Sequence, residues 1–239
     1  MGKLLFAWLT AVVLLIGCYG VGASAMDSSQ TPGARTKADS TLIRSGNYQV
    51  ENNTWGKGSL TGWHQRINVT SNRGGILAAH WSWDWLNSGS NVKSYAEVIY
   101  GQKPGSRSST ASSLPEKINR INVATVSYDI SSDHIGSGNT AFDMWLTDTK
   151  NPAKFGVPPI THEIMIWLES YGDMHPAGSF VEQANIDGMN YNIFVAEHFG
   201  QGWRYITFQS VPSRIGAGHI NLTQFLSYLR SKSLITGEE

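Results

Sequence analysis

The stretch THEIMIWLES, residues 161–170, is apolar almost throughout yet carries a glutamate near its start. Read as a β-strand, its successive side chains point to opposite faces. Ile164, Ile166 and Leu168 then share an aliphatic face suited to a core. Glu163, Met165 and Trp167 share the other face: an acid, a flexible thioether and a flat ring, which suit a lined cleft better than open water. The competing reading is a strand-edge glutamate with its head in solvent, because most glutamates are exposed.

Strand-like segments recur on both sides of this stretch. They are expected at 47–55, 64–70, 78–85, 95–101, 120–130, 139–148, 163–170, 178–188, 189–198 and 204–210, separated by turn residues. Asp187-Gly188 is a hairpin turn signal. One segment breaks the pattern. HINLTQFLSYLRSK, residues 219–232, spaces Leu222, Phe225, Leu226 and Leu229 as a helix does, with Asn221 as N-cap. The expected fold is all-β: a jelly-roll sandwich of two antiparallel sheets with one late α-helix at about 220–231.

Composition narrows the function. Charged residues are 15% of 239, and 18 Lys+Arg balance 18 Asp+Glu, which argues against a nucleic-acid partner. A high glycine content (25), with 9 Trp, 9 Tyr and 8 Phe, fits an extracellular β protein. Flat rings suit sugar faces as well as cores. Cys18 is the single cysteine, so no disulfide or cysteine metal site is expected. The seven histidines form no His-x-x-x-His pair, and His162-Glu163 fails as a zincin motif because position 166 is Ile. There is no glycine-rich phosphate loop. No cofactor is expected.

The N-terminus places Lys3 before an apolar run, Leu4 to Ile16, and then Ala23-Ser24-Ala25, a small-x-small cleavage site. Residues 1–25 read as an export signal. Leu15-Ile16-Gly17-Cys18 also resembles a lipobox, in which Cys18 would be lipidated. The protein is therefore expected to be secreted or held on an outer surface, meeting a membrane only through Cys18. Residues 26–43 read as a polar linker and 44–239 as the domain. Nothing in the sequence points to a protein partner or to more than a monomer.

Several stretches together resemble glycoside hydrolase family 12, the small jelly-roll endoglucanases and xyloglucanases. EIMIWLESYGDMHPAG is similar to that family's nucleophile strand and the loop after it. NNTWG (52–56), SYAEVIYG (94–101), AFDMWL (141–146) and WRYITFQS followed by INLTQFLSYL follow in the family's order. A sister jelly-roll family of xylanases shares the single helix, but EIMIWL fits family 12 better.

The resemblance implies retaining hydrolysis of a β-1,4-linked glucan, cellulose or xyloglucan, by two carboxyl groups. It makes Glu163 the nucleophile and Asp143 an assisting carboxylate beside it. It makes Trp55 a ring on which a glucose stacks, Asn53 a polar neighbour, and Met165 a residue near the nucleophile. Trp81, Trp83 and Trp85 alternate on one face and either extend the sugar platform, Trp83 in particular, or fill core. The family's acid/base glutamate follows the helix in a stretch like Phe-Gly-x-Glu. The sequence here ends in SLITGEE, and neither Glu238 nor Glu239 matches that stretch. The resemblance therefore implies that the sequence stops before the acid/base motif, with the jelly roll's C-terminal strands missing, or that the protein lacks its general acid; Glu182, Glu197, Glu238 and Glu239 are the carboxyl groups to test should the chain as it stands cleave the polymer. The function expected is an endo-β-1,4-glucanase; the alternative is a non-catalytic glycan-binding jelly roll or inactive fragment.

Overall fold

The computed structural model describes residues 8–19 as backbone, and residues 42–84, 92–106, 108–134, 136–148 and 160–235. The strands are β1 (Trp8–Tyr19), β2 (Leu42–Ser45), β3 (Tyr48–Asn53), β4 (His64–Arg73), β5 (Ile76–Asp84), β6 (Ser94–Gly101), β7 (Glu116–Lys117), β8 (Thr125–Ile130), β9 (Ser137–Thr147), β10 (Ile160–Tyr171), β11 (Ser179–Ile186), β12 (Met189–Phe199), β13 (Trp203–Val211) and β14 (Gly216–Asn221). A single α-helix, α1 (Leu222–Ser231), follows β14.

The large sheet runs β11-β12-β13-β10-β9-β1-β6-β3-β2, with β7 pairing β1. Two ribbons, β8 with β14 and β4 with β5, stand apart from it. Period-2 alternation gives the large sheet two different faces. One face carries Phe142, Met144 and Leu146 from β9, Ile164, Ile166 and Leu168 from β10, and Ile206 and Phe208 from β13. These pack with Leu222, Phe225, Leu226 and Leu229 of α1 and with Ile130 and Ile220 of the β8–β14 ribbon. The β4–β5 hairpin covers the same face further along, where Ile67, Val69, Leu77 and Ala79 meet Val50 and Ala96. The helix forms as its spacing predicts, and the Asn221 side chain accepts from the Thr223 N–H at 3.1 Å, satisfying one of the donors a helix start leaves free.

The pairing departs from two purely antiparallel sheets at one place: β10 and β13 run parallel. The cause is the connection after β10. Residues 172–178 cross back over the face bearing Glu163 before β11 starts, so the β11-β12-β13 meander returns beside β10 in its own direction. Met174 is buried on that face, with Met165, Trp167 and Tyr205. The crossing ends at Gly178, whose φ is +85°, and a Cβ there would lie 2.2 Å from the Val195 carbonyl oxygen. The Asp187-Gly188 hairpin turn forms with both residues at positive φ, 54° and 76°.

Three boundaries move. Residues 118–120 form a 3₁₀ turn, so β8 begins at Thr125 rather than near 120. Gly216–Asn221 is a strand although its glycines give it little β propensity; its six residues pair with β8. Leu42 and Ile43, placed in the linker by composition, already belong to β2, while residues 26–41 lie outside the described residues.

The N-terminal run differs most. Residues 1–25 were expected to stand outside the fold as an export signal, but the backbone of Trp8–Tyr19 pairs antiparallel with both β6 and β9. A run as apolar as VVLLI meets the requirement for a strand in the middle of a sheet as well as that for a signal.

Candidate active site

Three strands, β9, β10 and β13, bring chemistry to one stretch of the face opposite the helix. On β10, Glu163 is directly beside Trp145 of β9 and Tyr205 of β13. Two residues on, Met165 is beside Asp143 of β9 and Thr207 of β13. Asp143 is thus the diagonal neighbour of Glu163 on the adjoining strand, a relation that places the two Cα atoms roughly 7–8 Å apart. The alternation expected of residues 163–168 holds at every position.

Glu163 is 8% exposed. Its Oε2 accepts a hydrogen bond from Trp203 Nε1 at 2.7 Å. Burial pushes its carboxyl up to about 7, against the pull of the Trp203 bond towards the ionised form. Asp143 is buried further, at 1% exposure, and its Oδ1 has no hydrogen-bond partner among the described residues. Burial, and then the charges of Glu163 and Glu97, hold its carboxyl well above the usual range. Two such groups side by side retain a proton between them that separated carboxylates would lose near pH 4.

Aromatic rings frame the pair. Trp145 and Trp203 meet edge-on at 5.5 Å, and Phe199 lies against Tyr205 at 4.7 Å. Met165 is 3% exposed and forms floor rather than wall; its sulfur accepts from the Tyr205 hydroxyl at 3.1 Å and from Trp167 Nε1 at 3.5 Å. Burial raises the Tyr205 hydroxyl far above its ordinary range, so it stays protonated and remains a donor.

Asn53 and Trp55 lie towards the other end of this face, where β3 pairs with β6. Trp55 is 65% exposed, in a 3₁₀ turn directly after β3. Trp83 is not brought to the carboxylates. It is buried in a separate cluster with Leu60, Trp63 and Trp81. The reason is the hairpin: β4 and β5 cover the core side of the sheet, so the face that carries Trp81 and Trp83 turns inward. Trp85 lies outside the described residues.

A domain of this fold, with a buried glutamate and aspartate on adjoining strands of its open face, matches one family by sequence. Residues 46–238 fit the model of glycosyl hydrolase family 12. The chain belongs to that family. It is a glycoside hydrolase, 29% identical over 197 residues to Endoglucanase S of Pectobacterium parmentieri, covering 80% of this chain and 71% of that protein. It is 28% identical over 187 residues to the xyloglucan-specific endo-beta-1,4-glucanase A of Emericella nidulans, covering 77% and 70%. Among solved structures, the native family 12 xyloglucanase from Bacillus licheniformis superposes with a TM-score of 0.75 at 27% identity, covering 86% of this chain and 88% of that one.

Sequence reasoning missed one buried carboxylate on this face of the sheet. Glu97 is buried at 3% exposure on β6 and faces the same side as Asp143. The signal was present: a glutamate inside the apolar strand SYAEVIYG is the pattern that singled out Glu163. Trp145 and Trp203 were also missed, because a tryptophan in a strand reads first as core.

Proposed function

We propose that this family 12 hydrolase cleaves internal bonds of a β-1,4-linked glucan with retention of anomeric configuration, using Glu163 as nucleophile. The observation that carries this is the pairing of buried Glu163 with buried Asp143 on one open face. The ionised Glu163 forms a bond to the anomeric carbon as the glycosidic C–O bond breaks, and water later hydrolyses the glycosyl ester. Asp143 holds the proton of the pair, which leaves the charge on Glu163, and the Trp203 N–H stabilises that charge. Trp55 and Asn53 hold the sugar further along the cleft.

The leaving oxygen takes a proton from a second carboxyl, roughly 5 Å from the nucleophile in a retaining enzyme. Glu97 stands three strands away from β10 in the sheet order, about 14 Å at the usual strand spacing. Glu182 bonds Tyr228 at 2.6 Å and Lys232 at 2.9 Å, and Glu197 pairs with Arg204 at 2.9 Å, so both are engaged elsewhere. We assign the proton to a carboxyl outside the described residues. The relatives named for endoglucanase and xyloglucanase activity support both cellulose-type glucan and xyloglucan as substrates.

No helix among the described residues is long and apolar enough to cross a membrane. Export through residues 1–25, with or without lipidation at Cys18, fits a polymer substrate that a cell cannot take up whole.

The test is to incubate the protein with soluble β-glucan and with xyloglucan and to follow reducing ends and product anomers by proton NMR. New β-anomers appearing before mutarotation are expected. First-formed α-anomers overturn retention. Binding to both polymers without release of reducing ends makes the protein a glycan-binding jelly roll instead.

A further inference from the structure

Glu51 of β3 and Glu97 of β6 are direct cross-strand partners. Two like charges in that position repel. Lys103, just past β6, resolves the conflict by donating to Glu97 Oε2 at 2.7 Å and to Glu51 Oε2 at 3.2 Å. The other oxygen of Glu97, Oε1, accepts from Asn53 Nδ2 at 2.6 Å. A carboxylate can only accept here, so the Asn53 amide is oriented with its nitrogen towards Glu97 and its oxygen away. That oxygen, Oδ1, accepts from the Trp55 backbone N–H at 3.2 Å.

The result is a chain of contacts from a buried ion pair to the turn that carries the exposed Trp55 ring. The turn is clamped from its far side as well. Gly56 N–H donates to the Lys93 carbonyl at 3.0 Å, and a Cβ at Gly56 would lie 1.9 Å from the Val92 carbonyl oxygen. An exposed ring that serves as a platform must not swing with the solvent, and a turn tied at both ends meets that need.

We propose that Glu97 is a positioning residue for substrate: through Asn53 it fixes the turn that presents Trp55, and Lys103 holds Glu97 in place. This rests on the reading of Trp55 as a sugar platform. Glu97 acts on binding along the cleft, not on the chemistry at Glu163.

The experiment compares wild type, Glu97→Gln, Asn53→Ala and Trp55→Ala on soluble β-glucan, with KM, kcat and the pH profile recorded for each. Glu97→Gln turns the charge-assisted bond from Asn53 into a weaker neutral one, so it is expected to raise KM a few-fold, no more than Trp55→Ala does, with kcat within about two-fold. Adding Glu97→Gln to Trp55→Ala should raise KM no further, because the platform is already gone. Glu97→Gln leaves Lys103 paired with Glu51 alone; the double variant Glu97→Gln/Lys103→Met, measured alongside, is expected to show the same rise in KM. A fall in kcat at unchanged KM, or a full additional loss on top of Trp55→Ala, overturns the proposal. Wild-type protein that releases no reducing ends from β-glucan instead removes the functional reading on which it rests.

Discussion

The indole N–H of Trp203 donates to the Glu163 carboxylate at 2.7 Å, and it is the side-chain bond that draws this buried acid towards ionisation. A nucleophile must be ionised to attack, so the bond acts on the ground state from which reaction starts. Trp203→Phe keeps an aromatic ring against Trp145 and removes the donor. Without the donor the carboxyl of Glu163 rises above about 7, and the acidic limb of the pH–rate profile moves to higher pH. Activity at pH 6 is expected to fall about ten-fold, with a smaller fall at pH 8. An acidic limb unmoved in kcat/KM would show that Trp203 does not control Glu163.

Glu163→Gln removes the nucleophile and keeps the shape. Glucan hydrolysis should drop by at least about 10³-fold. The same substitution should stabilise the protein, in a pH-dependent way. Burial raises Glu163 from its ordinary 4.5 to about 7, so between those values the folded protein holds a proton that the unfolded chain has lost. Stability therefore declines as pH rises through that window, by about 3 kcal/mol in full. A glutamine does not titrate. The variant and wild type should melt together at pH 4, and the variant should melt higher at pH 8. Identical melting at both pH values would mean that Glu163 costs the fold nothing when charged.

Asp143→Asn leaves a neutral, hydrogen-bonding group beside Glu163 but takes away the shared proton. Asp143 is the protonated member of the pair while Glu163 ionises, so its replacement takes a proton rather than a like charge from beside Glu163, and the acidic limb should move up. With the assisting proton gone, kcat should fall about 10²-fold. A limb that moves down would show that Asp143 is charged when Glu163 ionises, and an unchanged kcat would separate Asp143 from the nucleophile.

The alternation of 163–168 was legible because period 2 is a property of the strand alone. It divides side chains between two faces but does not say which face opens on a cleft. For β10 the acid decided the matter. For Trp81 and Trp83 no such marker exists, and the answer depended on where the β4–β5 hairpin packs. Glu97 carried the same marker as Glu163, yet its role lies in Lys103 and Asn53, which reach it through chain reversal and strand pairing. The parallel β10–β13 pair belongs to the crossing at 172–178, and a sequence shows a turn there without showing its direction.

Two tryptophans should therefore respond in opposite ways. Trp55→Ala removes an exposed ring; KM on β-glucan should rise several-fold while the melting temperature stays within a few degrees. Trp83→Ala empties a buried site beside Trp81 and Trp63. Loss of a core tryptophan costs about 3–5 kcal/mol, so the melting temperature should fall by roughly 10 °C or more with KM preserved in the folded fraction. An increase in KM for Trp83→Ala at temperatures well below its melting point would return Trp83 to the sugar-binding face.

The last prediction concerns β1, where two readings exclude each other in one molecule. A strand hydrogen-bonded between β6 and β9 cannot also be a signal cleaved after Ala25. If export removes residues 1–25, two strand edges that now face β1 lose their partners. Edges without partners invite pairing with another chain. A chain starting at Met26 is accordingly expected to melt lower than the 239-residue chain and to associate as its concentration rises. Mass spectrometry of the exported protein should find Met26 first if the small-x-small site is used, or a lipid on Cys18 if the lipobox is. Equal melting temperatures and a monomeric 26–239 across concentrations would show that the sheet does not depend on β1. An exported protein retaining Trp8 to Tyr19 would make the strand, rather than the signal, the role of this segment.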